Sequence, residues 1–382
     1  MPLVPARRAT TAIFVLNGFV FGMWVVNIPE ILDRTGASQA QFGLLLLLLG
    51  GSALIGMQVA GRLVDSHGSR PVAVVSALLL CAALLGPAFA TDVPTLAVAL
   101  ALLGLLNGGV DVAQNAHAVE VQRGYGRPVM SAFHAFFSLG GVLAAVLGGA
   151  FIAAGIDLRV SLGVAAAAGA GLTLLTRTAL LPTASAQTAR ADRPGPRAPW
   201  SSRVVLLGTL AFVLLLAEGV AYDWSAVHLH DSLGADKDVA AWAFGAFSVA
   251  MTATRLLADR VVARVGPGVF VRVAALVGAV ALAGAALAPD APTAIVAWGV
   301  FGIGLAGCVP QFFTAAGNVD VGSSGTYVAR VAGLGYLGLL AGPASIGLLT
   351  AWVPLTTAFI VPIVGCVVAG LLAPTALRQV AA

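Results

Sequence analysis

Apolar residues run through this chain in stretches of about twenty, separated by short polar clusters. The first runs from Thr10 to Pro29. At ~1.5 Å per residue, about twenty helical residues cross the ~30 Å hydrocarbon core of a bilayer. Further stretches predict spans at 39–60, 71–91, 95–118, 129–153 and 160–181, then at 204–229, 239–258, 269–289, 292–315, 327–350 and 352–374. The pattern therefore predicts an all-α membrane protein with twelve transmembrane helices. No small-residue cleavage site follows the first stretch, so it reads as a retained helix rather than a signal peptide. Residues 182–203 are rich in Pro, Ala and Arg, lack apolar periodicity, and read as a connecting segment.

The chain also resembles itself. A displacement of 198 positions, with no gap, sets Arg62 on Arg260, Gly68 on Gly266, Asp92 on Asp290, Pro94 on Pro292, Gly104 on Gly302 and Gly140 on Gly338. Several of these are loop or turn positions, where shared apolar composition would not produce matches. The predicted organisation is a six-helix half over 1–181, a cytoplasmic linker over 182–203 and a second six-helix half over 204–382.

Composition narrows the class. Of 382 residues 59% are hydrophobic and 9% charged, against about 25% charged in soluble domains. The net charge of +4 would suggest nucleic acid in a soluble protein; here it has a simpler source. Arg7, Arg8, Arg62, Arg70, Arg123, Arg127, Arg177, Arg260, Arg264, Arg272 and Arg378 fall in alternate loops and tails, and the opposite loops hold Arg34, Arg159 and Lys237. That asymmetry is the positive-inside pattern and predicts that both termini are cytoplasmic. Cys81, Cys308 and Cys366 lie singly inside apolar runs and form no metal spacing. No metal, cofactor or nucleic-acid partner is predicted, and a monomer in the bilayer is expected.

Polar residues inside the spans are the candidates for function, because each is expensive to hold in hydrocarbon. Asn107, Asp111, Gln114 and Asn115 recur at helical spacings of three and four and share one face. Glu218 falls about fourteen residues into the seventh span, roughly the midplane. There a carboxyl group favours its neutral form unless paired. Glu218 and Asp111 are the candidate proton carriers, beside the alternative of a carboxyl bonded within the protein. The displacement maps Trp24 onto Tyr222, two aromatics placed either to stack on a ring-shaped substrate or to anchor the chain at the interface. Trp24, Asn27, Asn107, Asn115, Tyr222, Asp223, Gln311 and Tyr336 are the candidate substrate contacts. His134, Arg255 and Arg330 fall near the cytoplasmic ends of their helices and are candidate gating residues; for Arg255 an intrahelical pair with Asp259 is the competing assignment. Gly302 to Gly307 fits a dinucleotide fingerprint by letters alone and is rejected, since it lies mid-span with no strand before it.

Two parallel six-helix halves joined by a cytoplasmic loop resemble the major facilitator superfamily, in which substrate sits between the halves near the midplane. Residues 61–70 (GRLVDSHGSR) resemble that superfamily's loop signature, although Ser66 replaces its usual basic residue. In the second half Ala263 stands where the aspartate would be. The resemblance assigns Gly61, Asp65, Gly68 and Arg70 to a cytoplasmic latch, with Glu120 nearby. A narrower likeness, to the MosC/YbjJ-like branch, rests on residues 115–141, on Trp24 to Pro29 (WVVNIP), on Glu218 to Trp224 (EGVAYDW) and on Gly335 to Gly338 with Gly342-Pro343. It implies a bacterial inner-membrane transporter with sugar-like or polyol-like cargo; the two halves add the expectation of alternating access, and Glu218 and Asp111 that of coupling to protons. Export of lipophilic or cationic compounds is the alternative, and a non-transporting membrane sensor is a reading from another class. No nucleophile and base pair or phosphate loop points to an enzyme. Gly338, Gly342, Pro343 and Gly347 resemble an antiporter motif but read first as packing residues.

Overall fold

The computed structural model describes residues 3–37, 39–182 and 199–378, so most of the predicted connection lies outside the described residues. The apolar runs become helices because in hydrocarbon a segment must satisfy its own backbone groups. The helices are α1 (Leu3–Val26), α2 (Gln39–His67), α3 (Ser69–Ala83, extended by Leu85–Phe89), α4 (Val93–Tyr125), α5 (Met130–Ala153) and α6 (Leu158–Thr176). The second set is α7 (Ser202–Val227), α8 (Lys237–Val265), α9 (Pro267–Ala286), α10 (Ala291–Leu305 and Cys308–Gly317), α11 (Ser324–Leu349) and α12 (Leu355–Ala358 and Ile360–Ala376). Eleven of these, taken with their extensions, are long and apolar enough to cross a membrane among the described residues. The other, α8, is long enough but carries Arg255, Asp259, Arg260 and Arg264 in its second half.

The first span sits earlier than its apolar run suggests. Helix α1 ends at Val26, and a separate amphipathic helix, Ile28–Thr35, opens with Pro29 in its first turn and closes on Gly36 at φ 65°. Proline suits a helix start and glycine a left-handed end, so the chain re-starts here rather than continuing.

The chain divides into two compact units. The first holds α1–α6 without residues 127–132, together with residues 317–330; the second holds 127–132, α7–α10 as far as Ala316, and the chain from Val331 onward. Inside each unit, small residues bring backbones together. A Cβ on Gly104 of α4 would strike the carbonyl of Leu49 on α2, and one on Gly302 of α10 would strike Phe247 of α8. Gly140 likewise faces Val15 of α1, and Gly338 faces Phe212 of α7. Gly342 faces the Leu216 carbonyl, so the glycines of α11 are packing residues. Large apolar side chains stay exposed on α3, α6, α9 and α12, among them Val75, Leu175, Val280 and Leu371, as suits helices that face lipid.

Candidate functional site

In the second unit α7 is buried along most of its length, and Glu218 is 6% exposed within it. One carboxylate oxygen, Oε1, accepts from the Tyr222 hydroxyl at 2.6 Å and from Arg255 Nη2 of α8 at 3.2 Å. Oε2 accepts no hydrogen bond from the described residues. Tyr222 follows Glu218 by one turn, which stacks the two side chains. Its ring meets Phe244 and Phe247 edge-on at 5.8 Å, yet Tyr222 is 42% exposed. A charge this deep is tolerated when it is paired and hydrogen-bonded, and both conditions hold.

One turn beyond Arg255, Asp259 accepts from the backbone N–H groups of Ser131 at 3.0 Å and Ala132 at 2.8 Å. Those are orphan donors of the first turn of α5, and a carboxylate also suits the positive end of the helix. Gln311 of α10 donates to the Ser131 hydroxyl at 3.3 Å and to the Gly307 carbonyl at 3.2 Å.

The first unit builds its polar cluster on α4. Asn115 donates to the Asp111 carbonyl at 2.8 Å and to its carboxylate at 3.3 Å, and Gln114 reaches the same oxygen at 3.4 Å. The Asn115 side-chain oxygen meets His134 Nε2 at 3.1 Å. Phe14 of α1 lies edge-on to the His134 ring at 5.3 Å. Two amide oxygens of this face, on Asn107 and Gln114, accept nothing from the described residues.

At the far end of the same unit Asp65 grips the start of α11. It accepts from the N–H groups of Gly325 at 2.7 Å and Thr326 at 3.0 Å, and from the Thr326 hydroxyl. Gly61 is needed because a Cβ there would meet Ala329 and the Gly325 carbonyl, while Gly68, at φ 87°, turns the chain from α2 into α3. Gln58 donates to the Ala329 carbonyl, and Arg123 to Asn318 and the Gly317 carbonyl.

The sequence profile of the Major Facilitator Superfamily matches residues 10–318. The chain belongs to that superfamily. A relative in Sinorhizobium fredii, the uncharacterized transporter y4wD, is 36% identical over 348 residues, covering 91% of this chain and 92% of the relative. The membrane protein MosC of Rhizobium meliloti is 26% identical over 353 residues, 90% and 84% of the two chains. Among solved structures the superfamily transporter FucP shares the fold with a TM-score of 0.83, covering 99% of this chain and 100% of its own, at 13% identity. The twelve-helix superfamily fold follows, and the chain is a multi-pass membrane transporter of a small molecule.

Within this superfamily frame the predicted residues fall into distinct places. Glu218, Tyr222 and Arg255 come together, as do Asp111, Asn115 and His134. Arg255 is therefore not a residue of the helix end: α8 continues ten residues past it, and its guanidinium turns to Glu218 on α7. His134, predicted at a gate, joins the Asp111 cluster. Of the residues predicted at the latch, Asp65 binds the α11 start and Arg70 lines a groove with Arg177. Trp24 is 1% exposed and Tyr222 42%, so the proposed aromatic twins differ in environment, and Trp24 packs as a core residue. Asn27 is likewise buried, its amide donating to the Met23 carbonyl at 2.7 Å. Asp223 is exposed, Tyr336 half-buried, and Glu120 accepts from Ser69. Arg330 donates to the Pro199 carbonyl at 3.2 Å and lies over the Tyr327 ring. Asp259, expected only as an intrahelical partner of Arg255, instead takes up from one turn earlier the capping role that Ala263 cannot fill.

Proposed function

We propose that this transporter couples the movement of a small hydroxylated molecule, sugar-like or polyol-like, to protons through Glu218. The observation that carries the reading is the buried ion pair of Glu218 with Arg255, hydrogen-bonded to an accessible tyrosine. Both donors hold Oε1, so Oε2 is the oxygen available to a proton. Protonation cancels the charge facing Arg255 and changes the energy of any state in which the two are apposed, which is the differential interaction a two-state carrier requires. Asp111, in its frame of amides, is the second proton candidate, with Asn107, Asn115, Gln311, Tyr222, Asp223 and Tyr336 as polar contacts for hydroxyl groups. The carboxylate of Glu218 already faces a guanidinium, which supports neutral cargo over a lipophilic cation. The arginine distribution supports cytoplasmic termini in a bacterial inner membrane, and the repeat supports homologous halves at 1–181 and 204–382. In that orientation Gly61, Asp65, Gly68, Arg70, Glu120 and Arg330 lie at the cytoplasmic end, where the grip of Asp65 on α11 serves as a latch.

The test is transport in proteoliposomes with an imposed pH gradient, using a panel of radiolabelled hexoses and inositols. Wild-type protein concentrates one member of the panel when the gradient is applied, and Glu218→Gln loses the gradient-driven part while keeping exchange of the same compound. Unchanged gradient-driven uptake by Glu218→Gln would remove Glu218 from the coupling.

A further inference from the structure

We propose that Arg70 and Arg177 form a binding site for the headgroup of an anionic glycerophospholipid, between the adjoining ends of α3 and α6. An open groove of about 600 Å³ lies there, lined by Arg70, Pro71, Val74, Val75, Arg177 and Thr178. That volume falls within the range of ~300–1,000 Å³ typical of sites for small molecules. Arg177 is exposed and Arg70 half-buried, and neither guanidinium makes an ion pair or hydrogen bond with the described residues. Two arginines that line one groove, with no hydrogen bond or ion pair to the described residues, suit a phosphate, whose oxygens accept the planar fork of a guanidinium.

The groove is a built feature. Beyond α6 the chain turns back, and the Leu181 N–H donates to His117 Nε2 at 3.2 Å. With Nε2 accepting, the neutral ring carries its proton on Nδ1 and gives it to the Ser69 hydroxyl at 2.7 Å; Ser69 in turn donates to Glu120 Oε2 at 2.9 Å. His117 is fully buried. This relay fastens residue 181 to the first residue of α3, next to Arg70, and so fixes the turn that presents Arg177. His117 is a positioning residue of the site.

The remaining lining selects a lipid over free phosphate. Val75 is 54% exposed, and Leu175, two residues before Arg177, is 81% exposed. The headgroup site thus opens onto the apolar surface of the two helices that the exposure pattern turns toward lipid, where acyl chains would lie. It sits at the helix ends that the arginine distribution assigns to the cytoplasmic side, and basic pockets between helices on that side are suited to anionic headgroups.

The experiment measures thermal unfolding of the purified full-length protein in detergent with phosphatidylglycerol or phosphatidylcholine added, and with inorganic phosphate and glycerol 3-phosphate as soluble arms. Phosphatidylglycerol raises the midpoint by several degrees, phosphatidylcholine does not, and neither soluble anion matches the lipid at equal concentration. Arg70→Gln and Arg177→Gln each weaken the apparent affinity about tenfold, and His117→Phe weakens it with both arginines in place. Counting bound lipids on wild-type protein by native mass spectrometry gives a second readout that needs no variant, with phosphatidylglycerol retained at low salt and lost at high salt. Equal response to the two lipids, salt-insensitive binding, or wild-type binding by the double variant Arg70→Gln/Arg177→Gln would overturn the site. An effect of phosphate as large as that of the lipid would assign a free-anion site instead and overturn the lipid. The Glu218 reading stands or falls separately.

Discussion

Asp92 and Asp290, 198 positions apart, close the starts of α4 and α10 with the same bond. Each accepts from the N–H of a threonine three residues on, at 2.8 Å from Thr95 and 2.9 Å from Thr293. Gly104 and Gly302 repeat a backbone contact at the same displacement, against Leu49 and Phe247. Glu218 and Asp111 have no such counterparts: the matching positions are Val20 and Val309. The two sequence repeats therefore agree where helices start and touch, and diverge where polar groups are buried. Glu218 is held by a guanidinium and a phenol, while Asp111 accepts from two amides. The repeated positions share their caps and backbone contacts, and the buried carboxylates lie outside that repeat.

That contrast can be broken most forcefully at Arg255. Replacing it by Leu leaves Glu218 buried without the guanidinium, and losing one partner of a buried pair costs about 3–5 kcal/mol. The double variant Glu218→Gln/Arg255→Leu should recover much of this. Thermal unfolding of both proteins is the check, and equal losses in the single and double variants would mean that the pair is not a unit. Next in size, Gly104→Ala and Gly302→Ala each force apart a backbone contact, for about 1–3 kcal/mol, and the two should lose similar stability if the scaffold is shared. A loss confined to one would break the equivalence.

Asn115→Ala removes one donor to Asp111 and an acceptor facing His134. Losing hydrogen bonds to such buried groups costs on the order of 1–3 kcal/mol, and Asn115→Asp should fail to rescue it because it places a second carboxylate beside Asp111. The smallest effect is at the matched caps. The bonds to Thr95 and Thr293 hold the carboxyl groups of Asp92 and Asp290 below the usual carboxylate range. Their folded values are depressed, so their contribution is complete above the ordinary value near 3.8 and is lost as pH falls through the folded one. Asp92→Asn and Asp290→Asn should each flatten the acid limb of the stability profile slightly and by the same amount; unequal changes would show that the caps are not equivalent.

Much of the fold was legible because the bilayer imposes its thickness on the apolar runs. Among the described residues each of the twelve predicted runs holds a helix, although α1 begins earlier and α8 ends later than its run suggests, and the repeat is traceable through turn residues such as Gly68 and Gly266. Depth and partnership were harder to read. The apolar run predicts that α8 stops at 258, which puts Arg255 at a helix end, whereas the helix runs to Val265; the long Arg255 side chain meets a partner on another helix, which spacing along α8 cannot reveal. The capping role of Asp259 is hidden because the repeat aligns Ala263 with Asp65, and one helical turn of slippage preserves the reach of a carboxylate while destroying the alignment. Trp24 and Tyr222 align in sequence, but burial depends on what the neighbouring helices present, and there the repeats differ. The polar face of Asp111 was visible from three- and four-residue spacing alone; that His134 completes it depends on how α5 packs beside α4.

The most direct test of the central claim is proton stoichiometry on binding. A weakly buffered sample of purified transporter, mixed with the polyol or sugar identified in the transport panel, is followed with a pH-sensitive dye. Proton-coupled binding through Glu218 predicts a pH change with the wild-type protein that disappears in Glu218→Gln while the variant still binds the compound. Binding that changes the pH equally in both proteins would contradict the account.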